Sequence, residues 1–209
     1  MSKVGKKFPD ISVNAMNEMG DTFKINVLQE ALENKKKIIL FWYPKDFTFV
    51  CPTEIHAFQS KLSEFEKRNT MVIGASCDTP EVHFAWLSTP KDNGGIEGVT
   101  FPLIADSTRH LSETLDILDT EYVGTEENYS IEGDNVSYRA TFLIDEEGTI
   151  FHESVNVMPL GRNVDEYLRL IDGYAHNQKH GEVCPANWEE GKEAMSESRE
   201  SVANYLSKH

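Results

Sequence analysis

Cys51 is the residue of this 209-residue chain whose surroundings best suit it to chemistry. Residues 38–43 form an apolar, β-branched and aromatic run of strand length before it. After it, apolar residues recur at helical spacing, at Ile55, Phe58, Leu62 and Phe65. The sequence thus places a cysteine where a buried strand ends and a helix begins. Because the N–H groups and the dipole at the start of a helix favour an anion, we expect Cys51 to be a nucleophilic thiolate.

Four further residues could serve such a thiolate. Thr48 lies on the same turn, and its hydroxyl can both donate and accept a hydrogen bond. Pro44 ends the strand and shields one side of a pocket without offering an N–H group. Arg139 begins a later strand, and Glu54, one turn after the cysteine, could orient it through a bidentate ion pair. The alternatives are an inert core cysteine, a capping threonine and a surface ion pair.

Composition narrows the classes of partner. The formal net charge is -15, which argues against nucleic acid and anionic membranes as partners and favours solubility as the reason for the acidity. The lysine-bearing N-terminus is not followed by an apolar run, so we expect no signal peptide. The longest apolar run, residues 38–43, is too short to span a bilayer. We therefore expect a cytoplasmic protein with one sizeable core.

The three cysteines, Cys51, Cys77 and Cys184, are few and contain no C-x-x-C pair. This pattern argues against a disulfide scaffold and against structural zinc, and it favours a reducing compartment with one or two working thiols. Cys77 ends an apolar strand and is interpreted as a core residue. The seven histidines show no metal-ligand spacing and are assigned surface or capping roles, except that His83 is expected to pack with Trp86. No G-x-G-x-x-G occurs, so we expect neither a metal nor a dinucleotide cofactor.

The order of elements predicts an α/β fold. Strands are expected over residues 38–43, 71–76, 101–105, 138–145 and 149–155, with helices after most of them. This alternation predicts a central mixed β-sheet flanked by helices on both faces. The polar segment 121–135 should be a surface excursion. We place one domain over residues 1–176 and a C-terminal arm over 177–209, which carries Cys184 and a tail helix over 189–208.

The run YPKDFTFVCPTE at residues 43–54 closely resembles the active-site signature of peroxiredoxins, Pro-x-x-x-Thr-x-x-Cys. The segments RATF at 139–142, GR at 161–162 and GEVCPANW at 181–188 match in the same order. They resemble the typical two-cysteine class, which includes bacterial alkyl hydroperoxide reductase C. The resemblance covers nearly the whole chain. It implies a thioredoxin-like fold with a C-terminal extension, and a thiol peroxidase for hydrogen peroxide and small organic hydroperoxides that uses no metal or prosthetic group.

The resemblance also implies a role for each matching residue. Cys51 would attack the hydroperoxide and become a sulfenic acid. Thr48 and Arg139 would bind the peroxide oxygens, and Pro44 would shield the pocket. Cys184 of a partner subunit would then condense with the sulfenic acid to form an intersubunit disulfide.

The resemblance also leads to expectations about the residues that position Arg139, the electron donor and the assembly of the chain. Glu54 and Arg162 would hold Arg139 in place. Thioredoxin or a dedicated flavoprotein disulfide reductase would supply electrons, and the chain would form a homodimer that assembles to a decamer. Lys45 departs from the usual small or apolar residue and would add positive potential or point to solvent. Residues 94–98 and 205–206 only partly match the elements of oxidation-sensitive members, which predicts intermediate overoxidation.

Two rival functions remain open from the sequence. The first is a binding module, either a chaperone-like holdase or a redox relay that forms a disulfide in a client. The second is a cysteine hydrolase, which would need a histidine base near Cys51. His56 lies five residues on and is expected to face away from the sulfur at 100° per residue, so this class ranks lowest.

Overall fold

A computed structural model of the chain describes residues 2–125 and 128–208. These residues contain nine strands and seven α-helices. The strands are β1 (Ser12–Met16), β2 (Thr22–Asn26), β3 (Lys37–Trp42), β4 (Thr70–Ser76), β5 (Leu103–Ala105), β6 (Glu121–Thr125), β7 (Asn128–Glu132), β8 (Arg139–Ile144) and β9 (Ile150–Asn156). The helices are α1 (Val27–Asn34), α2 (Cys51–Ser60), α3 (Leu62–Lys67), α4 (Pro80–Leu87), α5 (His110–Leu115), α6 (Val164–His180) and α7 (Arg199–Leu206). The chain divides into two compact units, residues 1–162 and 163–209.

The first unit is built on a seven-stranded sheet with the order β2-β1-β5-β4-β3-β8-β9. Strands β3, β4 and β5 run parallel, whereas β8 pairs antiparallel with β3. All six residues of β3 and of β8 are buried, as expected for strands covered on both faces. The predicted central mixed sheet is therefore confirmed.

Both faces of β3 carry packed helices, because side chains alternate along a strand. Ile38, Leu40 and Trp42 join a core cluster that also contains Val27 of α1 and Leu111 of α5. On the opposite face, Phe41 stacks on Phe58 of α2 with ring centroids 3.9 Å apart. The sheet thus fixes where α2 begins, and α2 begins at Cys51.

The structure also contains elements that the sequence did not predict. The N-terminal strands β1 and β2 form an antiparallel pair, and α1 follows them directly. Their periodic segments are only five to eight residues long, too short for a clear pattern. The segment 121–135 is at the surface as expected: every residue of β6 and β7 is exposed, and these strands pair only with each other in the described chain.

The second unit begins with α6, whose Asn163 side chain accepts a hydrogen bond from the backbone N–H of Asp165. The helix continues through residues 177–180 to a glycine end at Gly181, where φ is +66°. The expected tail helix over 189–208 is too long, because only α7 is helical. Ser198 caps α7 by accepting from Ser201 N–H, and this cap sets its start. No helix among the described residues is long and apolar enough to cross a membrane.

A matched pair of isoleucine substitutions tests where the core lies. Ile39→Ala should lower the free energy of unfolding by about 2–5 kcal/mol, because Ile39 is fully buried in the central strand. Ile131→Ala, in the exposed hairpin, should change it by less than about 0.5 kcal/mol. Urea denaturation followed by circular dichroism measures both. Equal losses would contradict the assignment of the core.

Candidate active site

The loop of residues 43–50 connects the end of β3 to the start of α2. Its first residue, Tyr43, is fully buried and donates its backbone N–H to Ala75 O at 2.9 Å. Pro44 is also buried, whereas Lys45 is exposed. Phe47 has a φ of +55°, a left-handed conformation that is uncommon for an aromatic residue. The loop therefore adopts a specific backbone path that local propensity does not favour.

Cys51 is the first residue of α2 and is fully buried. Its Sγ lies 3.0 Å from Thr48 Oγ1 and 3.4 Å from Arg139 Nη1. A helix N-terminus and a guanidinium both favour a negatively charged sulfur. The structure thus brings together the cysteine, the hydroxyl and the arginine that the sequence singled out.

The Thr48 hydroxyl has two neighbours but only one hydrogen. Its Oγ1 lies 2.8 Å from Lys45 O and 3.0 Å from Cys51 Sγ. When Cys51 is a thiolate, the hydroxyl can donate to the sulfur. When Cys51 is a thiol, the hydroxyl can donate to the carbonyl and accept from the S–H group. Thr48 can therefore serve either protonation state of the cysteine without moving.

Glu54 is the centre of a buried ion-pair network. Its Oε2 accepts from Arg139 Nη1 at 2.6 Å and from Arg162 Nη2 at 3.0 Å. Its Oε1 accepts from Arg162 Nε at 2.8 Å and from the Arg162 backbone N–H at 2.9 Å. The side chains of Glu54, Arg139 and Arg162 are between 1% and 4% exposed. Such a network fixes the direction of both guanidinium planes.

Arg162 also joins the two central strands. Its Nη1 donates to Trp42 O at 2.8 Å on β3 and to Ala140 O at 2.9 Å on β8. Its guanidinium carbon lies 5.2 Å from the centroid of the Phe41 ring, within cation–π range. Arg139 in turn donates from Nε to Met158 O at 2.6 Å. The arginines are therefore positioned by the sheet and by the segment after β9.

The side-chain charges of Arg139, Arg162 and Glu54 do not sum to zero unless the Cys51 sulfur is also charged. Two guanidinium groups and one carboxylate leave a surplus of one positive charge in a dry interior. A buried surplus charge is costly unless an opposite charge faces it. Cys51 Sγ lies 3.4 Å from Arg139 Nη1 and can provide that charge as a thiolate.

Cys184 belongs to the second unit, where its Sγ lies 3.6 Å from Gly173 O on α6. A Cβ at Gly173 would lie 3.7 Å from this sulfur and 3.8 Å from the Trp188 ring, which is ordinary contact. Burial raises the pKa of the Cys184 thiol; nearby Arg169 lowers it in part and Glu182 adds to the rise. The surroundings of this thiol therefore disfavour its thiolate form.

The remaining thiol and the histidines give a mixed result. Cys77 is buried, as the core interpretation expects, and burial raises its pKa. His56 Nε2 contacts Gly95 O at 3.0 Å. His83 is buried with Trp86, as expected, but it also forms an ion pair with Asp46 that the sequence analysis missed. The one sign of a buried partner in the sequence was that His83 lies on the same buried face of α4 as Pro80 and Trp86. No group of three potential metal ligands occurs within the described ranges.

Comparison with known proteins identifies the family. The model of the AhpC/TSA family matches residues 4–153, and that of the C-terminal domain of 1-Cys peroxiredoxin matches residues 174–208. Alkyl hydroperoxide reductase C of Helicobacter pylori is 41% identical over 99% of this chain and 96% of its own length. Peroxiredoxin-2 of Macaca fascicularis is 38% identical over 100% of this chain and 97% of its own.

A solved structure agrees with these sequence matches. The reduced 2-Cys peroxiredoxin of Plasmodium vivax superposes with a TM-score of 0.88 and 40% identity, covering 99% of this chain and 100% of that one. The fold and the thiol site thus define an enzyme, a peroxidase of thioredoxin-like architecture. The chain belongs to the AhpC/TSA family, the peroxiredoxins, as the motifs of the sequence implied.

Glu54→Gln tests the ion-pair network. It should lower the free energy of unfolding by about 3–5 kcal/mol, because two buried guanidinium groups lose their carboxylate. Urea denaturation of the reduced protein measures the loss. Glu64→Gln is the matched control, since Glu64 pairs with Lys67 and Arg68 at the surface and its loss should be small. A stable Glu54→Gln variant with normal peroxide turnover would contradict the assigned role.

Proposed function

We propose that Cys51 is the peroxidatic nucleophile and that Thr48 and Arg139 bind the peroxide oxygens. The observation that carries this proposal is the convergence of Thr48 Oγ1 and Arg139 Nη1 on one fully buried sulfur, at 3.0 and 3.4 Å. Donors fixed where charge develops stabilise a transition state more than a ground state. Pro44 shields this pocket, and Glu54 and Arg162 hold the Arg139 side chain in position beside the sulfur.

The first step transfers one oxygen atom. The Cys51 thiolate attacks the terminal oxygen of a hydroperoxide, the S–O bond forms and the O–O bond breaks. The leaving alkoxide or hydroxide takes a proton and departs as alcohol or water. Cys51 is oxidised by two electrons to a sulfenic acid, and the hydroperoxide is reduced by two. Arg139 and the Thr48 hydroxyl face the oxygen on which negative charge accumulates.

The second step forms a disulfide. Cys184 of a partner subunit attacks the sulfenic sulfur of Cys51, and one water leaves. Burial raises the pKa of the Cys184 thiol where it rests, so movement of Cys184 out of that position favours its thiolate. Local unfolding of the first turn of α2 and of the arm, residues 177–209, accompanies this step.

The cycle closes when an external dithiol reduces the disulfide. Thioredoxin or a dedicated flavoprotein disulfide reductase fills this role in our proposal. The working unit is a homodimer, and five dimers assemble to a decamer when reduced. A reducing compartment suits the cycle, because it supplies the reductant that the disulfide needs.

Single cysteine variants test the disulfide scheme. After one equivalent of hydrogen peroxide, the wild-type chain should run as a disulfide-linked dimer on a non-reducing gel. Cys51→Ser and Cys184→Ser should each abolish that band, because each removes one of the two sulfurs. Cys77→Ser is the control and should leave the band in place. A monomer with an internal disulfide would refute the intersubunit assignment.

Thr48 variants test the peroxide site. Thr48→Val should reduce kcat/KM for hydrogen peroxide by about 10²–10³, the usual cost of one lost transition-state donor. Thr48→Ser keeps the hydroxyl and should stay within about tenfold of the wild type. Peroxide consumption coupled to thioredoxin measures both variants. Equal losses in the two variants would show that the hydroxyl is not the relevant group.

A further inference from the structure

The Cys184 segment, residues 182–188, packs against α6 within the second unit. Cys184 Sγ lies 3.6 Å from Gly173 O, and a Cβ on Gly173 would come within 3.8 Å of the Trp188 ring. Trp188 is 2% exposed, and its backbone carbonyl accepts from Arg169 Nη1 at 3.2 Å. Helix α6 is therefore the surface on which the Cys184 thiol rests.

His176 of α6 contacts both ends of this segment. Its ring centroid lies 5.0 Å from that of Trp188, and its Nε2 lies 2.8 Å from Glu182 Oε2. Asn177, the next residue of the helix, donates from Nδ2 to Glu182 O at 2.8 Å. The ring of His180, one turn further on, is stacked 4.7 Å from that of His176. His176 and Asn177 thus hold Glu182, which lies two residues before the thiol.

Val183 connects this contact to the rest of the arm. Its backbone N–H donates to Met195 O at 2.7 Å, and the Met195 N–H donates to Val183 O at 3.0 Å. Because Glu182 and Val183 directly precede Cys184, movement of the thiol away from α6 strains or breaks their bonds. The strength of these few contacts therefore determines how readily the segment opens.

The contact between His176 and Glu182 depends on a proton. Imidazole groups gain and lose a proton close to neutral pH. With both ring nitrogens protonated, His176 forms a charge-assisted ion pair with the Glu182 carboxylate. A neutral ring with its proton on Nε2 keeps the hydrogen bond but loses the charge. The charge that stabilises this contact is therefore present at acidic pH and is lost as the pH rises.

The other ionisable groups near His176 belong to α6 and to the segment. They are Asp172, Lys179 and His180 on the helix, and Glu182 and Cys184 on the segment. Carboxylates and lysines ordinarily keep their charge between about pH 6 and about pH 8.5, whereas histidines do not. Burial raises the pKa of the Cys184 thiol. The two histidines are therefore the groups whose charge changes over this range.

We propose that His176 is a positioning residue for the disulfide step, which holds the Cys184 segment on α6 while it is protonated and releases the segment when it loses its proton. The proposal rests on the role proposed above for Cys184. Release frees the thiol to attack the sulfenic acid at Cys51. A sulfenic acid that waits longer is oxidised by a second hydroperoxide to a sulfinic acid. Acidic conditions should therefore shift the products from disulfide towards sulfinic acid.

Two substitutions of His176 separate its charge from its packing. His176→Gln and His176→Lys both replace the ring by an unbranched chain that can donate to Glu182, and they differ by one charge. Hydrogen exchange of the reduced proteins, measured by mass spectrometry on peptides that contain Val183 and Met195, reports the opening of the segment. Rapid-quench mass spectrometry after one equivalent of hydrogen peroxide gives the rate of disulfide formation.

The wild type should be compared with His176→Gln at each pH, because exchange and thiol chemistry both depend on pH by themselves. Between about pH 6 and about pH 8.5, amide protection in the wild type relative to His176→Gln should fall about three- to tenfold, the difference between a charge-assisted and a neutral hydrogen bond at a half-buried site. The relative rate of disulfide formation should rise by a similar factor.

Three controls accompany this comparison. The ratio of His176→Lys to His176→Gln should stay constant over the same range, with the lysine variant more protected and slower to form the disulfide. His180→Gln should keep the pH dependence of the wild type, because the proposal assigns the effect to the ring that contacts Glu182. The rate of Cys51 oxidation should be unchanged in all variants, since the substitutions lie outside its site.

Four outcomes would overturn the proposal. A ratio of wild type to His176→Gln that is independent of pH would mean that the ring acts by packing alone. Equal protection in His176→Gln and His176→Lys would mean that charge plays no part. Loss of the pH dependence in His180→Gln would assign it to the other ring, and an unchanged disulfide rate despite altered exchange would separate the segment from the reaction. A wild-type protein with pH-dependent exchange but no disulfide between Cys51 and Cys184 would instead refute the proposed function.

Discussion

The carboxylate of Glu54 is the constraint on which the active site depends. It binds two guanidinium groups in a dry interior, and both of its oxygens are used. Neither Arg139 nor Arg162 could be buried alone, because an unpaired charge there is too costly. Arg162 is also bonded to backbone carbonyls of β3 and β8, so the carboxylate, the sheet and the arginines fix one another. Cys51 faces the positive charge that the single carboxylate leaves over.

Rigidity and mobility are divided between neighbouring residues of α2. Glu54 belongs to the ion-pair network, whereas Cys51, three residues earlier, occupies the first turn of the helix, which opens in the proposed disulfide step. Helix ends open at lower free energy than helix interiors, so the sulfur can move while the carboxylate stays. Before this turn, Phe47 has a φ of +55°, and its neighbour Asp46 is held by contacts with Asp78 and His83.

The sequence predicted best those features that a contiguous segment encodes. Residues 43–54 contain the strand end, the loop and the helix start together, so the place of Cys51 and Thr48 could be read from spacing. Arg162 lies 108 residues from Glu54, and only the resemblance to a family connected them. The partner of His83 was not predictable, because helical periodicity indicates which face is buried but not what meets it. The short elements β1, β2 and α1 and the true start of α7 were missed because propensity over so few residues is a weak signal.

The three cysteines differ in their surroundings, and these surroundings determine how each thiol is expected to react. Burial alone raises the pKa of a thiol, and this is what happens to Cys77 and, in part, to Cys184. Cys51 is at least as buried as Cys77, and each sulfur has a hydroxyl neighbour. Arg139 Nη1 lies 3.4 Å from Cys51 Sγ, whereas at Cys77 the charge of Asp106 raises the pKa and that of Arg109 lowers it. At Cys77, removal from water therefore favours the neutral thiol. At Cys51, it strengthens every interaction that the fixed donors make with negative charge. In the proposed mechanism, the same dry core keeps one cysteine inert and serves the reaction of another, because Glu54 holds the positive charge beside it.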